Sequence, residues 1–315
     1  MQPMRQTRLR GQIAGWLRCV TAVALAVMAW RAPAQEIEPR AYSNAPIGVN
    51  FFIAGAVETR GGLPSDSTVP VTNEDLRTTS LVMAYAHVFE LWGRSAKFDA
   101  IVPYTQLRGS AELNGEPVER NVTGFGRPAF RMSVNFHGAP ALSLPELREW
   151  KQDLIVGASL QVAPPLGQYD PDRIINISSN RWSFKPELGL SKAAGPWTLE
   201  LQAAATFFTD NDEFFRGTTR SQDPVYSLQG HVIRGLASGV WWSFDATWFA
   251  GGRSEVDGVR NRDLQQNWRV GASLALPVDP LNSIKFAVSS GVSARTGNNF
   301  DAIGVSWQRR WGGGL

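Results

Sequence analysis

Apolar and polar residues alternate with a period of two along most of the chain. From Trp197, one face carries Trp197, Leu199, Leu201, Ala203, Ala205 and Phe207, and the other carries Thr198, Glu200, Gln202, Ala204 and Thr206. Trp242, Phe244, Ala246 and Trp248 stand against Ser243, Asp245 and Thr247 in the same way. So do Trp268, Val270, Ala272, Leu274 and Leu276 against Asn267, Arg269, Gly271 and Ser273. Successive side chains of an extended strand point to opposite faces, so each stretch has one greasy and one wet face. About ten such residues cross a bilayer core when tilted. The pattern predicts strands at 47–59, 77–91, 95–109, 122–137, 152–165, 182–193, 196–209, 224–236, 240–252, 266–278, 282–295 and 300–311. Twelve is an even number, as an all-β, antiparallel, up-and-down transmembrane β-barrel requires.

The connections agree with that architecture, which pairs short periplasmic turns with long external loops. Long polar connections run over 60–76, 109–121, 166–181, 210–223 and 252–265, and short ones over 92–94, 194–195, 235–239 and 279–281. Two depart from the rule. The segment 138–151 is long on the periplasmic side and predicts a short amphipathic helix with Pro145 at its start. The last external connection, near 296–299, is short. Trp92, Trp182, Trp197, Trp241, Trp268 and Trp311 fall near predicted strand ends, the depth that amphipathic rings favour.

The first 34 residues stand apart. Arg5, Arg8, Arg10 and Arg18 precede an apolar run from Cys19 to Trp30, and Ala32-Pro33-Ala34 supplies small residues for cleavage between Ala34 and Gln35. This predicts a secretory signal peptide over 1–34 and a barrel domain over 35–315. The apolar run is too short to span a membrane as a helix, which needs about 20 residues. No later segment has such a run, so a helical membrane protein is excluded. The predicted signal carries five arginines and no acid, so its removal leaves 26 basic residues against 28 acidic ones and turns a net charge of +3 into −2. The apparent basicity therefore belongs to the targeting segment, and a nucleic-acid partner loses its support. The one cysteine, Cys19, leaves with it, which excludes disulfides and thiolate chemistry from the mature chain. A soluble β-sandwich also alternates along its strands, but its strands are shorter and its polar face lies outside. The long segments and the tryptophan placement favour the membrane barrel.

An ordered series of local patterns carries a resemblance. It runs through Gly124-Phe125-Gly126-Arg127-Pro128, Pro164-Pro165-Leu166-Gly167-Gln168-Tyr169 and Asn180-Arg181-Trp182-Ser183-Phe184-Lys185-Pro186-Glu187. It continues through Asp210-Asn211-Asp212-Glu213-Phe214-Phe215, Asp223-Pro224-Val225-Tyr226, Gly251-Gly252-Arg253-Ser254 and Trp268-Arg269-Val270-Gly271. In these the chain resembles the outer-membrane family labelled MetA-pathway of phenol degradation, over about Ser43 to Trp311. Arg127 departs from the acidic residue expected after Gly-x-Gly. The resemblance implies an outer-membrane barrel acting as a transporter, and it carries no catalytic residue, cofactor or metal.

Side-chain chemistry points the same way. His87, His137 and His231 are isolated, and none has a serine two residues on, the pattern of an outer-membrane phospholipase strand. They offer no zinc-ligand spacing either. The expectation is a protein that is not an enzyme, with no cofactor and no metal. His137 and His231 fall on the predicted wet face. That face also offers Arg131, Lys185, Glu187, Glu200, Asp245, Arg269, Lys285 and Arg295 as lumen-facing candidates, because charge at membrane depth must meet water or a partner. Both signs occur, whereas a selective ion pore shows a ring of one sign. Phe52, Phe208, Phe214, Phe215 and Phe249 are candidates for an access route on the loop-facing or inner side.

These features lead to two expectations. One is an outer-membrane channel that passively admits small organic molecules, hydrophobic or aromatic compounds among them. The other is a structural or surface-interaction barrel with a closed lumen and long external loops. The partners expected are outer-membrane lipid, a small organic solute and the outer-membrane insertion machinery, which would recognise the last strand through Ile303, Val305, Trp307 and Trp311.

Overall fold

A computed structural model describes residues 38–62, 71–236, 239–296 and 299–315. The signal-peptide reading of 1–34, with its cleavage between Ala34 and Gln35, lies outside them. The strands are β1 (Val49–Gly61), β2 (Thr72–Leu91), β3 (Arg94–Leu113), β4 (Glu116–Phe125), β5 (Ala129–His137), β6 (Leu154–Ala163), β7 (Ser183–Ala194) and β8 (Trp197–Phe208). They continue with β9 (Asn211–Phe214), β10 (Thr218–Gln222), β11 (Val225–Gly235), β12 (Trp241–Gly251), β13 (Ser254–Val256), β14 (Val259–Arg260), β15 (Gln265–Pro277), β16 (Asn282–Ser293) and β17 (Phe300–Gly312).

Antiparallel pairing runs from β2 through β1, β17, β16, β15, β12, β11, β8, β7, β6 and β5 to β3, and β3 pairs with β2 to close the ring. The wall has twelve strands, one of them in two pieces. β5 pairs with Ala96–Ile101 of β3 and β4 with Tyr104–Leu113, so the strand predicted at 122–137 is broken between them. Pro128 explains the break, since it has no N–H to offer a ladder. Closure leaves no sheet edge within the wall, which is what a bilayer demands of a β structure.

The predicted alternation sets the two faces. On β8, Leu199, Leu201 and Phe207 are exposed on the outside, while Glu200 and Gln202 are buried in the lumen. On β12, Phe244 lies outside and Ser243, Asp245 and Thr247 inside. Among the described residues no helix is long and apolar enough to cross a membrane.

Above the outer rim the structure departs from the expected loops. β2, β3 and β4 run on past the apolar band, so most of 72–76 and 109–121 is strand, turned at Asn114-Gly115. The outward face of this extension is polar, with Arg77 bonded to Glu58 at 2.5 Å, and its inward face carries Leu76, Leu107 and Ala111, the reverse of the wall below, which is why it reads as loop. The connections 210–223 and 252–265 fold into a small separate sheet of β14, β13, β10 and β9. On the periplasmic side, α1 (Leu144–Glu149) fills the segment 138–151. Its first turn is closed by the Ser143 N–H donating to Glu146 Oε2 at 2.8 Å. The Ser143 hydroxyl, which donates to the same oxygen at 2.6 Å, and then that N–H hold the Glu146 carboxyl below its ordinary value.

Candidate functional site in the barrel lumen

Residues 38–48, just before β1, enter the lumen rather than trailing into the periplasm. The Gly48 N–H donates to Val88 O and the Ile47 N–H to Leu142 O, which fixes the segment to the inner wall of β2 and to the β5–β6 connection. Tyr42 then turns into the barrel. Gly157 of β6 and Gly189 of β7 are direct cross-strand partners, and the tyrosine ring lies on them. A Cβ at Gly189 would stand 2.0 Å from Tyr42 Cε2, and one at Gly157 2.4 Å from Cδ1, so only a glycine pair leaves room for the ring. The Tyr42 hydroxyl donates to Glu187 Oε1 at 3.0 Å, and the Asn135 side chain donates to Tyr42 O at 3.1 Å. Burial first, and then the Glu187 carboxylate, push the hydroxyl pKa up, so it stays a donor.

Farther along, the Arg40 N–H donates to Glu200 Oε2 at 2.7 Å and its guanidinium lies 5.5 Å from the centre of the Trp241 ring. Glu38 accepts from the Arg131 guanidinium, whose Nε also donates to Asp99 Oδ2 at 3.0 Å. Burial pushes the Glu38 carboxyl up, but Arg131, with Lys97 and Lys185 behind it, outweighs that and holds it at about 2. Gln202 reaches Glu38 O at 3.4 Å. The segment is thus held by β5, β6, β7 and β8 together.

The predicted lumen residues divide between two sides of the wall. Arg131, Lys185, Glu187 and Glu200 gather around the segment, with Lys185 Nζ 3.5 Å from Glu187 Oε2. Asp245, Arg269 and Lys285 lie farther round the wall, on β12, β15 and β16. Asp245 Oδ1 is 2.7 Å from His231 Nδ1, and Ser243 donates to its other oxygen at 3.1 Å. The serine thus binds the carboxylate and not the imidazole, which is not the order that activates a nucleophile. His231 opposes Glu200 in one ladder and Asp245 in the other, so one carboxylate flanks it on each side. Arg269 is fully buried, donates to Phe300 O at 3.4 Å and stacks over the Phe300 ring. Lys285 opposes Ala275 on the inner face.

Arg295 is a correction: β16 stops at Ser293, with a register shift opposite Trp268/Arg269, and Arg295 is exposed in the external connection. His137 is another. A bulge after Val134 sets it opposite Val156, which alternates with buried Ile155, so it leaves the wet face at the rim. Among the phenylalanines, Phe52 packs edge-on against Trp307 on the lipid side and is removed from any access route. Phe249 is buried inside, Phe208 lies under Arg181, and Phe214 joins an apolar cluster flanked by Phe215.

That cluster was not foreseen. The connection 166–181, read as polar, folds inward and packs Ile174, Ile175 and Ile177 on Leu76, Leu107 and Ala111 of the inner wall. Arg120 Nε donates to Ile175 O at 3.0 Å, and Asn211 ties Tyr169 to Ser179. The outer mouth is therefore packed by a loop and the inner half by the N-terminal segment.

A model of the family described as "Putative MetA-pathway of phenol degradation" matches residues 60–309. The crystal structure of an outer membrane channel from Pseudomonas putida F1 is similar with a TM-score of 0.71 at 18% identity, over 88% of this chain and 100% of that one. The transport unit of the autotransporter AIDA-I from Escherichia coli follows at 0.47 and 10%, over 88% and 93%. KdgM porin complexed with oligogalacturonate follows at 0.45 and 8%, over 82% and 98%. The first likeness shows the fold; the other two are too distant in shape to bear on the site. No curated protein matches the sequence.

Proposed function

We propose that this chain, which belongs to the family described above, is an outer-membrane channel that passively admits small organic molecules, apolar and aromatic compounds among them. The observation that carries this reading is the obstruction of the lumen by a segment that is held through side chains and a few hydrogen bonds, not woven into the wall. A structural barrel has no need of a separate filler, since wall charges could pair with one another; a gated path does. The mixed lumen charges argue against a simple ion-selective pore. An aromatic solute finds phenylalanine rings at Phe208 and Phe249 once the segment and the loop yield. Insertion through the outward face of β17, with Ile303, Val305, Trp307 and Trp311, belongs to the same reading.

The test is to reconstitute the refolded mature protein in liposomes and follow a labelled aromatic and a similarly sized polar solute against empty liposomes. Faster uptake of the aromatic supports the channel. No acceleration of either solute overturns it in favour of a closed barrel, a reading that the loop packed into the outer mouth would then explain.

A further inference from the structure

The lipid-facing surface carries an unexplained cation. Arg234 lies at the periplasmic end of β11 on the same face as Tyr226, Leu228 and Val232, all exposed to the bilayer side. A charge on this face is tolerated only where headgroups begin. The position is built rather than incidental. The Arg234 guanidinium lies 4.8 Å from the centre of the Trp197 ring, its partner in the β8 ladder. Trp242, its partner in the β12 ladder, meets Trp197 edge to face at 5.6 Å and continues into Phe244 at 5.2 Å. Among the described residues no carboxylate pairs with Arg234, and its sequence neighbours Val232, Ile233, Gly235 and Leu236 bring none.

We propose that Arg234, with Trp197 and Trp242, forms a binding site for the phosphate of a glycerophospholipid in the periplasmic leaflet. A guanidinium presents a planar fork of donors that matches two phosphate oxygens at once. Stacking on Trp197 fixes that fork in one orientation at little entropic cost, and it leaves the outward edge of the fork to a ligand. Trp242, Phe244 and Leu199 continue the site toward the membrane core, where glycerol and acyl chains would lie. A second cation, Arg309, lies between Trp307 and Trp311 on the outer face of β17 at the same end of the barrel, so the combination of arginine and indoles recurs where headgroups are expected. This inference rests on the outer-membrane reading given above.

The test is native mass spectrometry of the detergent-solubilised, refolded protein titrated with phosphatidylglycerol or with diacylglycerol of the same chains. A sucrose-gradient fractionation of the cells that make the protein runs beside it. The expected result is retention of phosphatidylglycerol over diacylglycerol in the wild type, reduced about fivefold by Arg234→Gln, the size of one surface cation at an anionic lipid face. Arg260→Gln, at an external ion pair with Asp223 and Glu255, should leave retention unchanged. Trp197→Phe, which keeps a ring but weakens the stacking, should give an intermediate loss. Heat-modifiable gel mobility confirms that each variant is folded. Equal retention of the two lipids, or of phosphatidylglycerol by wild type and Arg234→Gln, would mean an ordinary annular lipid and overturns the site while leaving the outer-membrane reading intact. A protein found outside the outer-membrane fraction overturns both.

Discussion

The two sides of the lumen wall are alike in sequence pattern and differ in what their charges do. On β5 to β8, Arg131, Glu187 and Glu200 bind Glu38, Tyr42 and Arg40 of the N-terminal segment. On β12 and β15, Asp245 and Arg269 bind His231, Ser243 and the Phe300 carbonyl, all in the wall itself. The same residue types at the same alternation therefore serve as a seat on one side and as wall structure on the other. A glycine pair underlies the seat: Gly157 and Gly189 open a flat floor across β6 and β7, and the Tyr42 ring lies on that floor.

The comparison predicts a graded set of responses, readable by trypsin cleavage after Arg40, which the seated segment protects. The largest should follow Arg131→Gln, which leaves Asp99 and Glu38 facing each other without their shared cation. Losing one partner of such a buried group costs about 3–5 kcal/mol. The expectation is a lowered unfolding midpoint and rapid cleavage at Arg40; a protected Arg40 would mean that the seat does not depend on this group. Gly189→Val should act next, by about 1–3 kcal/mol of overpacking against the Tyr42 ring. It should release the segment with the barrel still folded. Asp245→Asn, on β12 beyond His231, should cost about 1–2 kcal/mol of barrel stability through a weakened buried hydrogen bond and leave Arg40 protected. Equal loosening by Gly189→Val and Asp245→Asn would erase the distinction between the two sides.

The smallest response should be to pH. Glu38 titrates at about 2 in the seated state against an ordinary 4.5, so its contribution is complete above the ordinary value and is lost as pH falls through about 2. Cleavage at Arg40 should accordingly be flat between pH 5 and 8, apart from the protease's own dependence. A step in that window would assign the seat to a different titrating group.

Much of this architecture was legible because a barrel wall writes its period into the chain. The faces of β8, β12 and β15 follow from Leu199 against Glu200, Phe244 against Asp245 and Val270 against Arg269. What escaped lacks that period. Residues 38–48 show no repeat, and their place depends on a tyrosine meeting two glycines more than a hundred residues away. The extension of β2 to β4 hides because its polarity is reversed, with a wet outward face and Leu76, Leu107 and Ala111 facing inward. Loop 166–181 did carry a signal, since Ile174, Ile175 and Ile177 are costly to leave in water. Arg295 and His137 were misplaced because a bulge shifts a strand by one residue and thereby exchanges its faces.

The central claim is a solute path governed by the seated segment. It is tested most directly by the initial uptake of a labelled apolar aromatic, at limiting concentration, in cells lacking the protein and supplied with wild type or Gly189→Val. Uptake restored by wild type and raised further by Gly189→Val is the predicted result. Uptake that is the same with no protein, wild type or variant would contradict the account.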